Sequence, residues 1–136
     1  MQSKQHGFSL LEVLISFVLI GFGALGLVKL QVYIEQKADY AIHSIEALNL
    51  AEQKLEWFRT RGATASSAIA VANFDSDIGA GSSAHPPYTV TWSVPNTALS
   101  GELKTVHVQT TWQDRFGNNH SVELKTMISK HSEFTM

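Results

Sequence analysis

Residues 6–31 read HGFSLLEVLISFVLIGFGALGLVKLQ and form the most apolar stretch of the chain. Between Phe8 and Val28 the only charged side chain is that of Glu12. As a helix rising about 1.5 Å per residue, this segment covers roughly the 30 Å of a bilayer core. The stretch therefore predicts a membrane-spanning helix. Its carboxylate predicts a functional role, because a charge inside a bilayer costs about 2.5–3.5 kcal/mol.

The helical pattern continues well beyond the apolar stretch. Apolar residues recur at spacings of three and four, so one long helix is predicted from about Phe8 to Arg61. Its first half is apolar almost all round, and its second half is amphipathic. Gly62 follows a cationic last turn, which is typical of a helix C-terminus. The predicted apolar stripe consists of Leu30, Ile34, Ala38, Ala41, Ile45, Leu48, Ala51, Leu55 and Phe58.

Three later segments alternate with a period of two, which predicts three strands. They are residues 88–94 (YTVTWSV), 104–112 (KTVHVQTTW) and 121–128 (SVELKTMI). The short polar connections between them favour antiparallel pairing of sequential strands. Residues 63–87, rich in Ala, Ser and Gly, are predicted to form a surface loop.

A sheet with one apolar face must bury that face, and the apolar stripe of the helix from about Ile34 to Phe58 is the long element available to pack against it. The predicted fold class is therefore α+β, with a long N-terminal helix packed on a small antiparallel sheet. A fourth strand is unassigned. Trp92 and Trp112 fall on inward faces of the strands, and Trp57 lies at the end of the helix stripe, so core packing is expected for the tryptophans rather than a binding patch.

Composition argues against several function classes. The net charge is −2 and the basic residues are scattered, so no nucleic-acid partner is expected. The absence of cysteine excludes disulfides, thiol catalysis and cysteine-based zinc sites. No HExxH, nucleophile elbow or phosphate loop occurs, so no enzyme, metal or cofactor is expected. Asp75 and Asp77 faintly resemble a calcium loop, but Pro86 stands where that loop needs glutamate, so a solvated turn is expected.

The residues GFSLLEVL, positions 7–14, resemble the prepilin signal of type IV pilins and their relatives. The resemblance implies that a prepilin peptidase cuts between Gly7 and Phe8 on the cytoplasmic side and methylates the new amino group of Phe8. It also implies the family fold, a long N-terminal helix on an antiparallel sheet of about four strands. Glu12 would then pair with a terminal amine, most usefully that of a neighbouring subunit, and help to set filament register.

Residues 19–31, LIGFGALGLVKLQ, are similar to minor pilins of the PilV kind. This second resemblance implies a minor pilin that joins other minor pilins to prime or modify the pilus, in support of biogenesis, twitching motility or adhesion. The implied partners are other minor pilins, the major pilin, the prepilin peptidase and the inner-membrane assembly machinery. The implied location is the inner membrane, with a single span and a periplasmic C-terminal domain, and then the pilus, near its tip.

Two alternatives stay open. A minor pseudopilin of a type II secretion system shares the cleavage signal, the helix and the sheet, and differs mainly in its partners. A membrane-tethered periplasmic binding or adhesive module would keep its N-terminus uncleaved. The predicted organisation has four segments: a leader (1–7), a transmembrane and filament-core half of the helix (8–29), its amphipathic half (30–61), and a loop with the sheet (62–136).

Overall fold

The computed structural model describes residues 7–63 and 71–131. Its chain forms two compact units, Met1–Asp39 and Tyr40–Met136. The predicted α+β class is confirmed, since a long N-terminal helix is followed by a four-stranded antiparallel sheet. In chain order the elements are α1 (Leu10–Thr60), β1 (Gly81–His85), β2 (Tyr88–Ala98), a short 3-10 helix (Leu99–Gly101), β3 (Leu103–Gln113) and β4 (Asn119–Ser129).

Helix α1 has 51 residues and is close to the predicted length. It begins behind Ser9, whose carbonyl accepts hydrogen bonds from the backbone N–H groups of Glu12 (3.0 Å) and Val13 (3.2 Å). It ends where the N–H of Gly62 bonds back to the carbonyl of Trp57 at 3.0 Å, the crossing bond of a Schellman motif. Arg61, with φ 51°, takes the left-handed position that glycine usually fills, and Gly62 follows with φ 75°.

The sheet is a meander in the order β1-β2-β3-β4, with every neighbouring pair antiparallel. The three predicted strands are present. The expectation of a loop throughout residues 63–87 is wrong for Gly81–His85, which pair with β2 from Gly81↔Trp92 to His85↔Tyr88. This strand was missed because GSSAH has neither apolar alternation nor β-branched residues. The strand is therefore held by its backbone pairing with β2 rather than by packing of its own side chains.

The core lies between the C-terminal part of α1 and one face of the sheet. The inward positions of β2 and β3 are the predicted ones, since Val90, Val106 and Val108 are buried. The predicted helix stripe is only partly right: Ala51 and Phe58 are buried, whereas Ile34 and Ile45 are 56% and 60% exposed. The covering face begins instead near Ala47, because the sheet offers its apolar surface only to the last four turns of the helix.

Two buried cations tie the irregular segments to this core. The Lys104 ammonium, on β3, donates to the backbone carbonyls of Phe74 at 2.6 Å and Ile78 at 3.2 Å. The Arg61 guanidinium donates to the carbonyls of Ser129 at 2.8 Å and Lys130 at 2.7 Å. Strand β3 therefore holds the segment that leads into β1, and the end of α1 is fastened to the end of β4.

Candidate functional site

The predicted cleavage position lies outside the helix. Gly7 and Phe8 precede Leu10, where α1 begins, and the Phe8 side chain is 84% exposed. A Cβ added at Gly7 would meet no atom within 4 Å. Gly7 and Phe8 are therefore both exposed, and they lie before the first hydrogen-bonded turn of α1.

Glu12 lies in the first turn of α1. The free backbone N–H groups of that turn give this end of the helix a partial positive charge. The Ser16 hydroxyl donates to the Glu12 backbone carbonyl at 2.8 Å and leaves the carboxylate alone. No ion pair between residues that the structure describes involves Glu12. Among the residues that the structure describes, the helix end is the one feature placed to compensate its charge.

Phe8 and Glu12 line one shallow groove of about 260 Å³, whose other walls are mostly apolar. Because α1 begins two residues after Phe8, Phe8 lies just before the helical turn that contains Glu12. They nevertheless share a surface. The proximity needed for an amine at Phe8 to face the Glu12 carboxylate is present, although no amine is free while residues 1–7 remain attached.

The first half of α1 is wholly exposed. Its most apolar 18-residue window has a mean hydropathy of 2.4 and is 0% buried, and the helix is long and apolar enough to cross a membrane. Isolated exposed apolar residues are common on proteins, but a continuous surface of this kind marks contact with lipid or with another protein. The largest exposed side chains of this surface are Phe8, Leu10, Leu11, Phe17, Leu19, Ile20, Phe22, Leu25 and Leu27.

A chain of three polar side chains joins α1 to the start of β2. The Tyr88 hydroxyl donates to the Glu46 carboxylate, and His43 Nδ1 lies 2.5 Å from the same hydroxyl oxygen. Since tyrosine has a single hydroxyl proton, His43 must carry its proton on Nδ1 and donate it. These residues are 42 and 45 positions apart in sequence, so no motif spacing could have brought them together.

The tryptophans divide into one core residue and two groove residues. Trp112 is 3% exposed, as expected, whereas Trp57 is 37% exposed and Trp92 is half-buried. Trp57 and Trp92 line a groove of about 230 Å³ between α1 and the β1–β2 hairpin. The Lys54 ammonium lies over both rings, 3.8 Å from the Trp92 centroid and 4.5 Å from that of Trp57. Burial lowers the pKa of Lys54.

His107, Asp75 and Asp77 make local polar contacts at the surface. His107 faces away from the core, as expected, and lies 3.4 Å from Glu123. The Asp75 and Asp77 side chains are exposed, and they pair with Lys130 and with the Asn73 backbone N–H respectively. In residues 7–63 and 71–131 no group of three or more His, Cys, Asp or Glu side chains is placed to hold a metal ion.

The comparisons with known proteins bear on the N-terminal segment. No curated protein and no solved structure matches the chain. Residues 2–28 match the prokaryotic N-terminal methylation motif. This segment contains the Gly7–Phe8 peptide, Glu12 and most of the exposed apolar surface of α1. Together with the long helix on an antiparallel sheet, the motif supports a type IV pilin-like protein, anchored in a membrane by a single N-terminal helix.

Proposed function

We propose that this protein is a minor pilin, processed by prepilin peptidase and assembled with other minor pilins to prime or modify a type IV pilus. The observation that carries the proposal is the methylation motif over residues 2–28, which contains most of the exposed apolar surface of α1. The second unit has its own core, so the chain has both an assembly segment and a folded domain to display. Its work is association with other subunits rather than catalysis.

Processing would act on the peptide between the exposed residues Gly7 and Phe8. Cleavage there removes residues 1–7 and creates an amino group at Phe8, beside the groove that also contains Glu12. Methylation leaves that amine able to carry a proton, so it can still pair with a carboxylate. In a medium of low dielectric such a pair is strong, because neither charge is screened by water.

Assembly would then be directed by the only acidic side chain of the apolar segment. A Glu12 carboxylate without a partner amine is costly in lipid. An incoming subunit relieves this cost when its Glu12 meets a terminal amine of a neighbour at matching depth. The exposed apolar side chains around it pack against other helices of the same kind. The Glu12 charge therefore fixes the depth of each subunit in the assembly, and the apolar side chains around it provide the contact between helices.

The intact mass of the protein, purified from cells with and without an active prepilin peptidase, tests this proposal. We expect loss of residues 1–7 and gain of one methyl group, only with the peptidase. A Gly7→Leu variant is the matched control, and it should keep the full mass in both cells. If the wild-type mass is the same in both cells, the chain is not a processed pilin and the tethered-module alternative takes its place.

The partner subunits decide between a pilus and a secretion filament, because the methylation motif serves both kinds of assembly. We expect cross-linking of the processed protein in intact cells to capture pilins of a type IV pilus. Capture of pseudopilins and secretion components alone would instead assign it to a type II secretion system. The two assemblies can be told apart by mass spectrometry of the cross-linked peptides.

A further inference from the structure

A second groove between α1 and the β1–β2 hairpin, here called the Glu46 groove, contains a carboxylate that is held from one side. The Tyr88 hydroxyl donates to Glu46 Oε2, whereas Glu46 Oε1 accepts no hydrogen bond from any residue that the structure describes. Tyr88 is only 6% exposed, and His43 Nδ1 lies 2.5 Å from its hydroxyl oxygen, so the direction of the hydroxyl is set from both sides. The carboxylate therefore has a fixed orientation and one open oxygen.

The spacing of residues along α1 places a second acceptor beside this carboxylate. Asn49 and Leu50 follow Glu46 by three and four residues, so all three lie on one face of the helix. The Asn49 amide oxygen is an acceptor, and it makes no hydrogen bond with a residue that the structure describes. The helix side of the groove thus offers two acceptors to the N–H groups of a ligand.

The hairpin side of the groove is mostly apolar. Ala84 and Pro86 contribute carbon atoms, and a proline has no backbone N–H to donate. His85 also lines the groove, with its Nε2 2.9 Å from Ser83 Oγ. The volume is about 550 Å³, within the range typical of ligand pockets.

The charge of the lining favours a cation. Among the described residues the lining contains one carboxylate and neither lysine nor arginine. The next lysine along α1, Lys54, lies over the Trp92 ring instead, 3.8 Å from its centroid. A concave site with charge of one sign attracts ligands of the opposite sign.

We propose that the Glu46 groove binds an arginine side chain of a partner protein, with the guanidinium on the Glu46 carboxylate and the Asn49 amide oxygen. The methylene stem lies along Leu50 and Pro86. A guanidinium is planar and presents five N–H donors in a fixed fork, so it can serve two neighbouring acceptors at once, whereas a lysine ammonium is a point charge. Free arginine fits less well, because the lining has no lysine or arginine to pair with its α-carboxylate. The groove lies wholly in the second unit, and the proposal does not rest on the proposed function.

The test uses the full chain in detergent micelles and a matched pair of probes, N-acetylarginine amide and N-acetylcitrulline amide. Citrulline has nearly the shape of arginine but carries no charge. Backbone amide signals of Ala84 and His85 report binding by NMR, and Gly101, beyond the far end of β2, is the internal reference. We expect the arginine probe to shift the signals of Ala84 and His85 saturably and to leave Gly101 unchanged. The citrulline probe should bind about five- to tenfold more weakly, because a hydrogen bond between charged groups is stronger than a neutral one.

Two variants separate the carboxylate from the amide. Glu46→Gln keeps an acceptor for the Tyr88 hydroxyl but has no charge, so it should bind the arginine and citrulline probes alike. Asn49→Ala should lose the preference for N-acetylarginine amide over N-acetyllysine amide that the wild type shows. Glu52→Gln is the matched control, because Glu52 is also an exposed carboxylate on α1 but does not line the groove. Dispersed amide signals from β2 to β4 show that each variant is folded.

Four results would overturn the proposal. They are no saturable shift with the arginine probe, equal affinity for the arginine and citrulline probes in the wild type, a preference for arginine over citrulline that survives Glu46→Gln, or loss of that preference in Glu52→Gln. Two further probes test the identity of the ligand. If the lysine probe binds the wild type as tightly as the arginine probe, the groove is a general cation site. If free arginine binds more tightly than its acetylated amide, the ligand is an amino acid and the assignment to a partner protein is wrong.

Discussion

Lys104 is a buried cation whose partners are backbone carbonyls rather than carboxylates. Only 8% of it is exposed, and its ammonium holds the segment around Phe74 and Ile78 against β3. Such a contact is local in space but distant in sequence, and it fastens a segment that has little regular structure of its own. The role resembles that of a cross-link in a chain that contains no cysteine.

Replacing Lys104 with methionine should therefore destabilise the second unit. The methylene stem is kept, but the buried carbonyls lose their donor, at a cost of about 1–3 kcal/mol in the free energy of unfolding. Urea denaturation followed by tryptophan fluorescence measures this. The matched control is Lys125→Met, since Lys125 is 58% exposed and pairs with Glu123 at the surface, where a pair contributes at most about 1 kcal/mol. Equal losses in both variants would show that Lys104 is not an anchor.

Glu12 belongs to the same residue scale, but its effect concerns assembly rather than folding. Glu12→Ala should leave membrane insertion intact, because the apolar segment becomes more apolar. Incorporation of the subunit into filaments should fall, because the charge that sets register is gone. Fractionation measures insertion, and immunoblots of sheared filaments measure incorporation. Glu35→Ala, also on an exposed part of α1, is the control and should behave as the wild type does. Normal incorporation of Glu12→Ala would remove the register argument.

At the scale of elements, the turn between β3 and β4 depends on one carboxylate. Asp114 Oδ1 accepts hydrogen bonds from the backbone N–H groups of Phe116 and Asn118, both at 2.8 Å. Asp114 Oδ2 accepts from the Asn118 side-chain amide at 3.0 Å, and it lies 3.1 Å from His120 Nε2. The hydrogen bond from the Asn118 side-chain amide has the largest effect among the contacts that hold the pKa of Asp114 well below its usual range.

This turn predicts acid sensitivity with a defined sign. A lowered pKa means that the folded state favours the carboxylate, so the contribution is complete above the unfolded pKa of about 3.9 and is lost as the pH falls below it. The free energy of unfolding should therefore decrease as the pH is lowered below about 4. In Asp114→Asn the drop should be shallower and the value at pH 7 lower. Glu56→Gln, on the exposed surface of α1, should leave the wild-type slope. An unchanged slope in Asp114→Asn would contradict this account.

The elements also show which features a sequence can predict. Apolar periodicity locates α1 and three strands, because their side chains alternate between core and solvent. It misses β1, which is ordered by backbone pairing, and it misses Lys104 and Arg61, whose carbonyl partners carry no side-chain signal. The GFSLLEVL motif predicted the N-terminal segment, since its residue types are themselves the signal. The Lys54 groove has no such motif, because α1 and β2 meet there only after folding.

At the scale of the whole molecule, the two units differ in what they need. The buried hydrophobic residues of both core clusters come from position 47 onward, whereas residues 10–34 of α1 are all exposed. The second unit can therefore bury its apolar core residues without the first unit. The first cannot do so alone, and a bilayer or other apolar helices must cover it.

A chain that begins at Tyr40 should accordingly fold and remain soluble without detergent. We expect it to unfold cooperatively on heating, with dispersed NMR signals from β2 to β4, because no core residue has been removed. The full chain should require detergent under the same conditions. A truncated chain without a cooperative transition would show that the first 39 residues contribute to the core of the second unit.

Arg61 ends the helix in a way that depends on the far end of the chain. Its left-handed backbone is held by carbonyls 68 and 69 positions later, at Ser129 and Lys130. During synthesis α1 leaves the ribosome before β4 exists, so the Arg61 contacts form only after Ser129 and Lys130 have been made. A chain cut short before Ser129 would keep the local hydrogen bond from the Gly62 N–H to the Trp57 carbonyl, but it would lose the contact that fastens the end of α1 to the end of β4.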